Sequence, residues 1–166
     1  LNAHHDVGIG GINTPLAEKL ISSMEKHGKV FITTEKELGK KLNPFRMSIP
    51  ADRIHHAMYY ADIYVGDSQT MAAEAAVLGT PSFRVNEHVD KNVGYLMELE
   101  KKYKLTFGLQ PSESKLLLNK VDEVLNDSNT SEKWQQRRQK MLNEKIDVAS
   151  FFVDLIENYP DSTKNT

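Results

Sequence analysis

The chain contains no cysteine, so a disulfide framework and a thiolate metal site are both excluded, and a reducing, intracellular compartment is favoured. No apolar run approaches the ~20 residues that a membrane-spanning helix needs, and no secretory signal pattern opens the sequence. These absences predict a cytoplasmic protein without a transmembrane segment. Charge of one sign is lacking too. Lys and Arg number 21 against 23 Asp and Glu, and the net charge of -2 with a pI near 6.3 gives no electrostatic footprint for nucleic acid. There is no internal repeat, no low-complexity linker and no initiator Met. The chain opens on Leu1-Asn2-Ala3-His4, which reads as the end of a strand, so a piece of a longer protein is expected.

What is present suits one domain. At 166 residues, folding buries roughly two-thirds of the chain's surface, and 39% hydrophobic with 27% charged residues is ordinary for a globular protein. Up to Gly108 the sequence alternates between helical and strand periods. Asn13 or Thr14 can cap a helix with Pro15 in its first turn, and Ala17, Leu20, Ile21 and Met24 then share a face, with Gly28 as the stop. Val30-Phe31-Ile32 reads as a short buried strand. Pro50 opens a helix whose Ile54, Ala57, Met58 and Ala61 form the inward stripe. Ile63-Tyr64-Val65 is the next strand, residues 69–78 the next helix, and Ser82-Phe83-Arg84-Val85 the strand after it.

Short apolar strands separated by amphipathic helices imply parallel pairing, because each crossover needs a helix to return the chain. Residues 92–103, 112–126, 131–144 and 147–158 read as helices, interrupted only by Leu105-Thr106-Phe107 as an edge strand. The expected fold is a three-layer, Rossmann-like, doubly wound α/β domain with a mostly parallel sheet of five or six strands. Residues 1–108 form its core, 109–159 a helical tail and 160–166 a frayed end.

The stretch Gly66-Asp67-Ser68-Gln69-Thr70 lies at a strand's carboxyl end, where such sheets bind ligands. Free N–H groups and the positive end of the helix dipole make an anion site there, to which Ser68 and Thr70 add hydroxyls. Glu74, a turn further on, is placed to reach a ribose diol. The plainer alternative is that Ser68 or Asp67 only caps the helix and Glu74 is solvated. A nucleophilic Ser68 on an α/β-hydrolase elbow is disfavoured, because the second glycine of that elbow is replaced by Thr70.

Gly8, Gly10 and Gly11 also precede a helix, where the backbone can approach a phosphate, although their spacing matches neither the dinucleotide fingerprint nor the P-loop. His4, His5 and Asp6 resemble a metal cluster, but neighbours on an extended segment point to opposite faces, so no metal is expected. A polar loop holding His4 or His5 beside a ligand is the better reading. His55 and His56 read as surface histidines. Asn86-Glu87-His88 follows a strand on the same rim and supplies candidates for substrate contact, or a plain polar loop.

Taken together, "IHHAMYYADIYVGDSQTMAAEAAVLGTPSFRV" resembles the C-terminal half of GT-B-type enzymes, the non-hydrolysing UDP-N-acetylglucosamine 2-epimerases and related glycosyltransferases. The features that carry the resemblance are Ala61, Asp67-Ser68, Glu74 and Leu78-Gly79-Thr80-Pro81. The chain is also similar to an uncharacterised prokaryotic domain family of that superfamily. The resemblance implies that Asp67, Ser68, Gln69, Thr70 and the adjoining N–H groups hold the diphosphate of a sugar nucleotide, with Gly8, Gly10 and Gly11 alongside, and that Glu74 binds the ribose.

His4 matches the histidine after the first strand, but His5, Asp6 and Val7 replace the epimerases' charged residues. Glu87-His88-Val89 stands where they carry an acidic–Arg–Pro motif. The implied function is therefore the nucleotide half of a glycosyltransferase or epimerase in glycan or surface polysaccharide synthesis, taking a UDP-sugar, with no cofactor and with its catalytic base on an N-terminal domain. A non-catalytic scaffold that binds a protein partner is the alternative. The final helix, with Phe151, Phe152, Leu155 and Ile156 on one stripe, is expected to pack on that N-terminal domain, on its own core, or in a homodimer.

Overall fold

The computed structural model describes residues 11–89 and 93–160. Its centre is a parallel sheet of three strands in the order β1 (Tyr64–Gly66), β2 (Ser82–Val85), β3 (Thr106–Leu109), with Tyr64 opposite Ser82 and Thr106 opposite Ser82 on the far side. The α/β class and the parallel pairing are thus as expected. The five or six strands are not found among the described residues.

Each crossover carries a helix. Asn13 caps α1 (Thr14–Met24), its Oδ1 accepting from the Leu16 N–H at 2.9 Å, and Leu16, Ala17, Leu20 and Ile21 are buried. Ile54–Tyr59 forms α2, preceded by a 3-10 turn at Ala51–Arg53. Helix α3 (Gln69–Leu78) starts on Ser68 and stops at Gly79, whose φ of 88° is the left-handed conformation glycine adopts at little cost. Helix α4 (Gly94–Met97) runs on into a π turn at Glu98–Lys102. Beyond β3 come α5 (Ser114–Asn126), α6 (Thr130–Asn143) and α7 (Val148–Glu157).

Alternation along the strands builds two cores. Phe83 and Val85 face α1 and α5, joining Leu20, Ile21, Leu117 and Val121, with Phe107 stacked on Phe83 at 5.0 Å between ring centroids. On the opposite face Ala76, Leu96, Leu99, Leu105 and Trp134 pack together, and the Trp134 indole N–H donates to the Leu105 carbonyl at 3.0 Å. Helices α5 and α6 therefore close the core. Arg137 and Arg138, paired basic residues on α6, donate to the carbonyls of Lys104 and Val77 and fasten that helix to the β3 and α3 ends.

One expectation needs correction. Val30-Phe31-Ile32 does not join the sheet. Ile32 forms a lone parallel bridge with Arg46, its N–H donating to Phe45 and its carbonyl accepting from Met47, while Phe31 is 60% exposed. One turn of chain pairs with this segment more cheaply than a distant sheet edge, because the loop closed is short. Helix α7 buries none of its residues, so of the three covers expected for it, full burial in its own core is not found. Phe151, Phe152, Val153 and Ile156 on this helix are exposed.

Candidate functional site

The 66–70 turn sits at the carboxyl end of β1, and its geometry is set by local chemistry. The Ser68 Oγ accepts from the Met71 N–H at 3.3 Å, so the hydroxyl caps α3. The first N–H groups of any helix lack intrahelical acceptors, and those of Gln69 and Thr70 hold that position here. They lie at the positive end of a ten-residue helix dipole. Thr70 is exposed, while Asp67, Ser68, Gln69 and Glu74 are half-buried.

A second loop braces the turn. Asn86 is buried, its amide donates to the Asp67 carbonyl at 2.9 Å, and its Oδ1 accepts from the His88 N–H at 2.8 Å and from the Gln69 side chain at 3.5 Å. Asn86 therefore ties two strand ends together, and its polar groups are engaged in that tie. Glu87 is exposed, and Gln110 at the end of β3 donates to its carbonyl at 3.5 Å. Asn86, Glu87 and His88 share a rim with the 66–70 turn. Gly11 is half-buried immediately ahead of Ile12, whereas His4, His5, Asp6, Gly8 and Gly10 lie outside the described residues.

The sequence gives no hint of a cluster beside the turn. Nε2 of His55 on α2 lies 3.2 Å from Oε2 of Glu74 on α3. The phenol of Tyr64 folds back over Gly66, where any Cβ would collide with its hydroxyl. Burial, then the nearby carboxylates of Asp67 and Glu74, hold that phenol well above its ordinary range, so it stays a protonated donor. Helical spacing along α3 sets Glu74 about one turn beyond Thr70, as the sequence predicts. Nothing local in the sequence could have brought His55 to it, because that contact depends on how α2 crosses α3.

The cluster offers N–H and O–H donors at its helix end and two carboxylates behind. The first suits an anion such as a diphosphate, the second a polyol. Asp67 opposes a second negative charge in the same turn, so an anion would have to sit on the outer, helix-end side. Among the described residues, no group of three His, Asp or Glu side chains converges as a metal site, and no helix is long and apolar enough to cross a membrane.

A cavity of about 560 Å³ reaches the turn from the opposite direction, touching Gly66 and Met71 but not Ser68 or Glu74. Searches of protein-family models, curated proteins and solved structures returned no match to this chain.

Proposed function

We propose that this chain is the nucleotide-binding half of a GT-B-like enzyme, a glycosyltransferase or sugar-nucleotide epimerase of glycan synthesis in the cytoplasm. The finer form of its fold would be a three-layer, doubly wound Rossmann-like domain. The observation that carries the reading is the coincidence at one strand end of a hydroxyl-capped helix N-terminus and, one turn along α3, a carboxylate partly exposed beside His55. In this reading the diphosphate of a UDP-sugar meets the N–H groups of Gln69 and Thr70 and the hydroxyl of Ser68, and Glu74 accepts from the ribose hydroxyls. The catalytic base belongs to a partner domain across the cleft.

Calorimetry with UDP, GDP, CDP and their sugars tests this. Weak binding by the chain alone is expected, without turnover. Absence of binding at millimolar ligand, with an N-terminal partner domain restored, overturns it.

One observation favours a second reading, a scaffold that binds a protein partner. Phe151, Phe152, Val153 and Ile156 on α7 are all more than 40% exposed, and a contiguous apolar surface of this kind marks an interaction site on soluble proteins. The two readings separate on the ligand titration, which only the first requires to succeed.

A further inference from the structure

His55 belongs to α2 and Glu74 to α3, and the crossing of these helices is fixed away from the two side chains. The Thr80 hydroxyl, just past the stop at Gly79, donates to the Met58 carbonyl at 2.7 Å, and both residues are buried. That bond ties the last turn of α2 to the end of α3. His55 stands three residues before Met58, so a rigid turn of helix carries its imidazole to the carboxylate. Nε2 and Oε2 then lie 3.2 Å apart.

The carboxylate held in this way bears on the strand end. Burial, then the charges of Asp67 and Glu74, raise the phenol of Tyr64, and that phenol lies over Gly66 where the turn begins. Along α3, Glu74 is four residues beyond Thr70, or about 6 Å from the N–H groups at the helix start. That is the scale of the separation between the phosphates and the sugar hydroxyls of a nucleotide. A carboxylate offers about four lone-pair sites on its two oxygens, and the imidazole occupies one of them. The rest open to solvent, since the Glu74 side chain is more than a third exposed.

We propose that His55 is a positioning residue: its Nε2 fixes the Glu74 carboxylate to accept from both hydroxyls of a vicinal diol. The pair then selects a ribonucleoside diphosphate over its 2′-deoxy counterpart. This rests on the nucleotide-binding reading above and names the substrate class of that site. A glutamate free in solvent loses rotamer freedom when it closes on a ligand, whereas one already held by an imidazole has lost it beforehand. As a contact within the fold alone, an exposed pair contributes little. Its effect falls on the ligand.

The test is calorimetry of UDP against 2′-deoxy-UDP, under the conditions that test the nucleotide reading. UDP should bind about tenfold tighter or more, the factor that a hydrogen bond to a charged acceptor supplies. His55 is exposed, so His55→Ala should fold normally, which urea unfolding checks. In that variant the ratio of the two affinities should fall about three- to tenfold, while inorganic pyrophosphate binds as before. A purely structural effect would weaken all three ligands alike and leave the ratio unchanged. Glu74→Ala has no carboxylate to hold, so its ratio should already be low and His55→Ala should lower it no further. Absence of binding by either nucleotide overturns the nucleotide reading and this inference with it. Three other results leave nucleotide binding standing and overturn the role of His55. They are equal affinity for the two nucleotides, a preference that survives His55→Ala, and an equal further loss in the Glu74→Ala background.

Discussion

His55 on α2 and Glu74 on α3 meet with 3.2 Å between Nε2 and Oε2, on the helix that Ser68 caps. Both side chains are more than a third exposed, at 55% and 38%. Such a pair is worth little to the fold, about 0.2–1 kcal/mol. Glu74→Gln should therefore leave the urea midpoint almost unmoved. If Glu74 grips a ribose, the same change should weaken nucleoside diphosphate binding several-fold, while a nucleobase-free pyrophosphate should bind as before. A variant that binds both ligands normally removes Glu74 from the site.

Ser68 separates capping from ligand binding. Ser68→Ala deletes the acceptor for the Met71 N–H and should cost about 1 kcal/mol of stability. The loss of one neutral hydrogen bond should weaken diphosphate binding by about 1 kcal/mol as well. Ser68→Asp keeps a good cap, and thermal unfolding should show near-normal stability. Its added negative charge should abolish diphosphate binding. Unaltered affinity in that variant would place the anion elsewhere.

Arg84 is fully enclosed between two glycines on the neighbouring strands, opposite Gly66 on β1 and Gly108 on β3. Its Nη2 lies 2.9 Å from Glu100 Oε2, and its Nε finds no hydrogen-bond partner among the described residues. Removing one member strands a buried charge, so Glu100→Ala should cost about 3–5 kcal/mol by urea unfolding. The paired change Arg84→Met with Glu100→Leu should recover most of that. Gly108→Ala should also destabilise, because its Cβ would stand 2.7 Å from Arg84 Nη2 and 3.2 Å from Glu100 Oε2.

Tyr64 predicts the alkaline limb of stability. Its phenol is raised in the fold, by burial first and by Asp67 and Glu74 next, so the folded state holds that proton more tightly than the unfolded chain does. The stabilisation is fully present below the unfolded value near 10 and is lost as pH climbs beyond it. Chemical denaturation followed from pH 8 upward should show stability falling above about pH 10. Tyr64→Phe should be flatter over that range, and equal slopes for the two proteins would contradict the assignment.

Helix α7 should drive association. None of its residues is buried, so Phe152→Glu or Ile156→Glu should leave folding intact. Sedimentation of the unaltered chain should show concentration-dependent mass, and both variants should be monomeric at the same concentrations. A chain that stays monomeric throughout would mean that α7 needs a different partner.

Helix α3 was legible residue by residue. Ser68 supplies the cap, Gly79 the left-handed stop, and the alanines between them fit the space against β2. Those are local facts of backbone chemistry, which a sequence states directly. Parallel pairing of β1, β2 and β3 was also legible, because helices fill the intervals and force the chain to return. The fate of Val30-Phe31-Ile32 was not. An apolar triplet fixes a preference for extended backbone but not which edge it joins, and here the near partner at 45–47 takes Ile32. The same holds for α7, whose stripe announces a need for cover without naming the surface that provides it. His55 beside Glu74, and Tyr64 folded over Gly66, arise from residues 19 and 2 positions apart. Propensity and periodicity act along the chain and fix what each segment is. The crossing of α2 over α3 is decided by packing summed over the whole core, and only that crossing puts His55 beside Glu74.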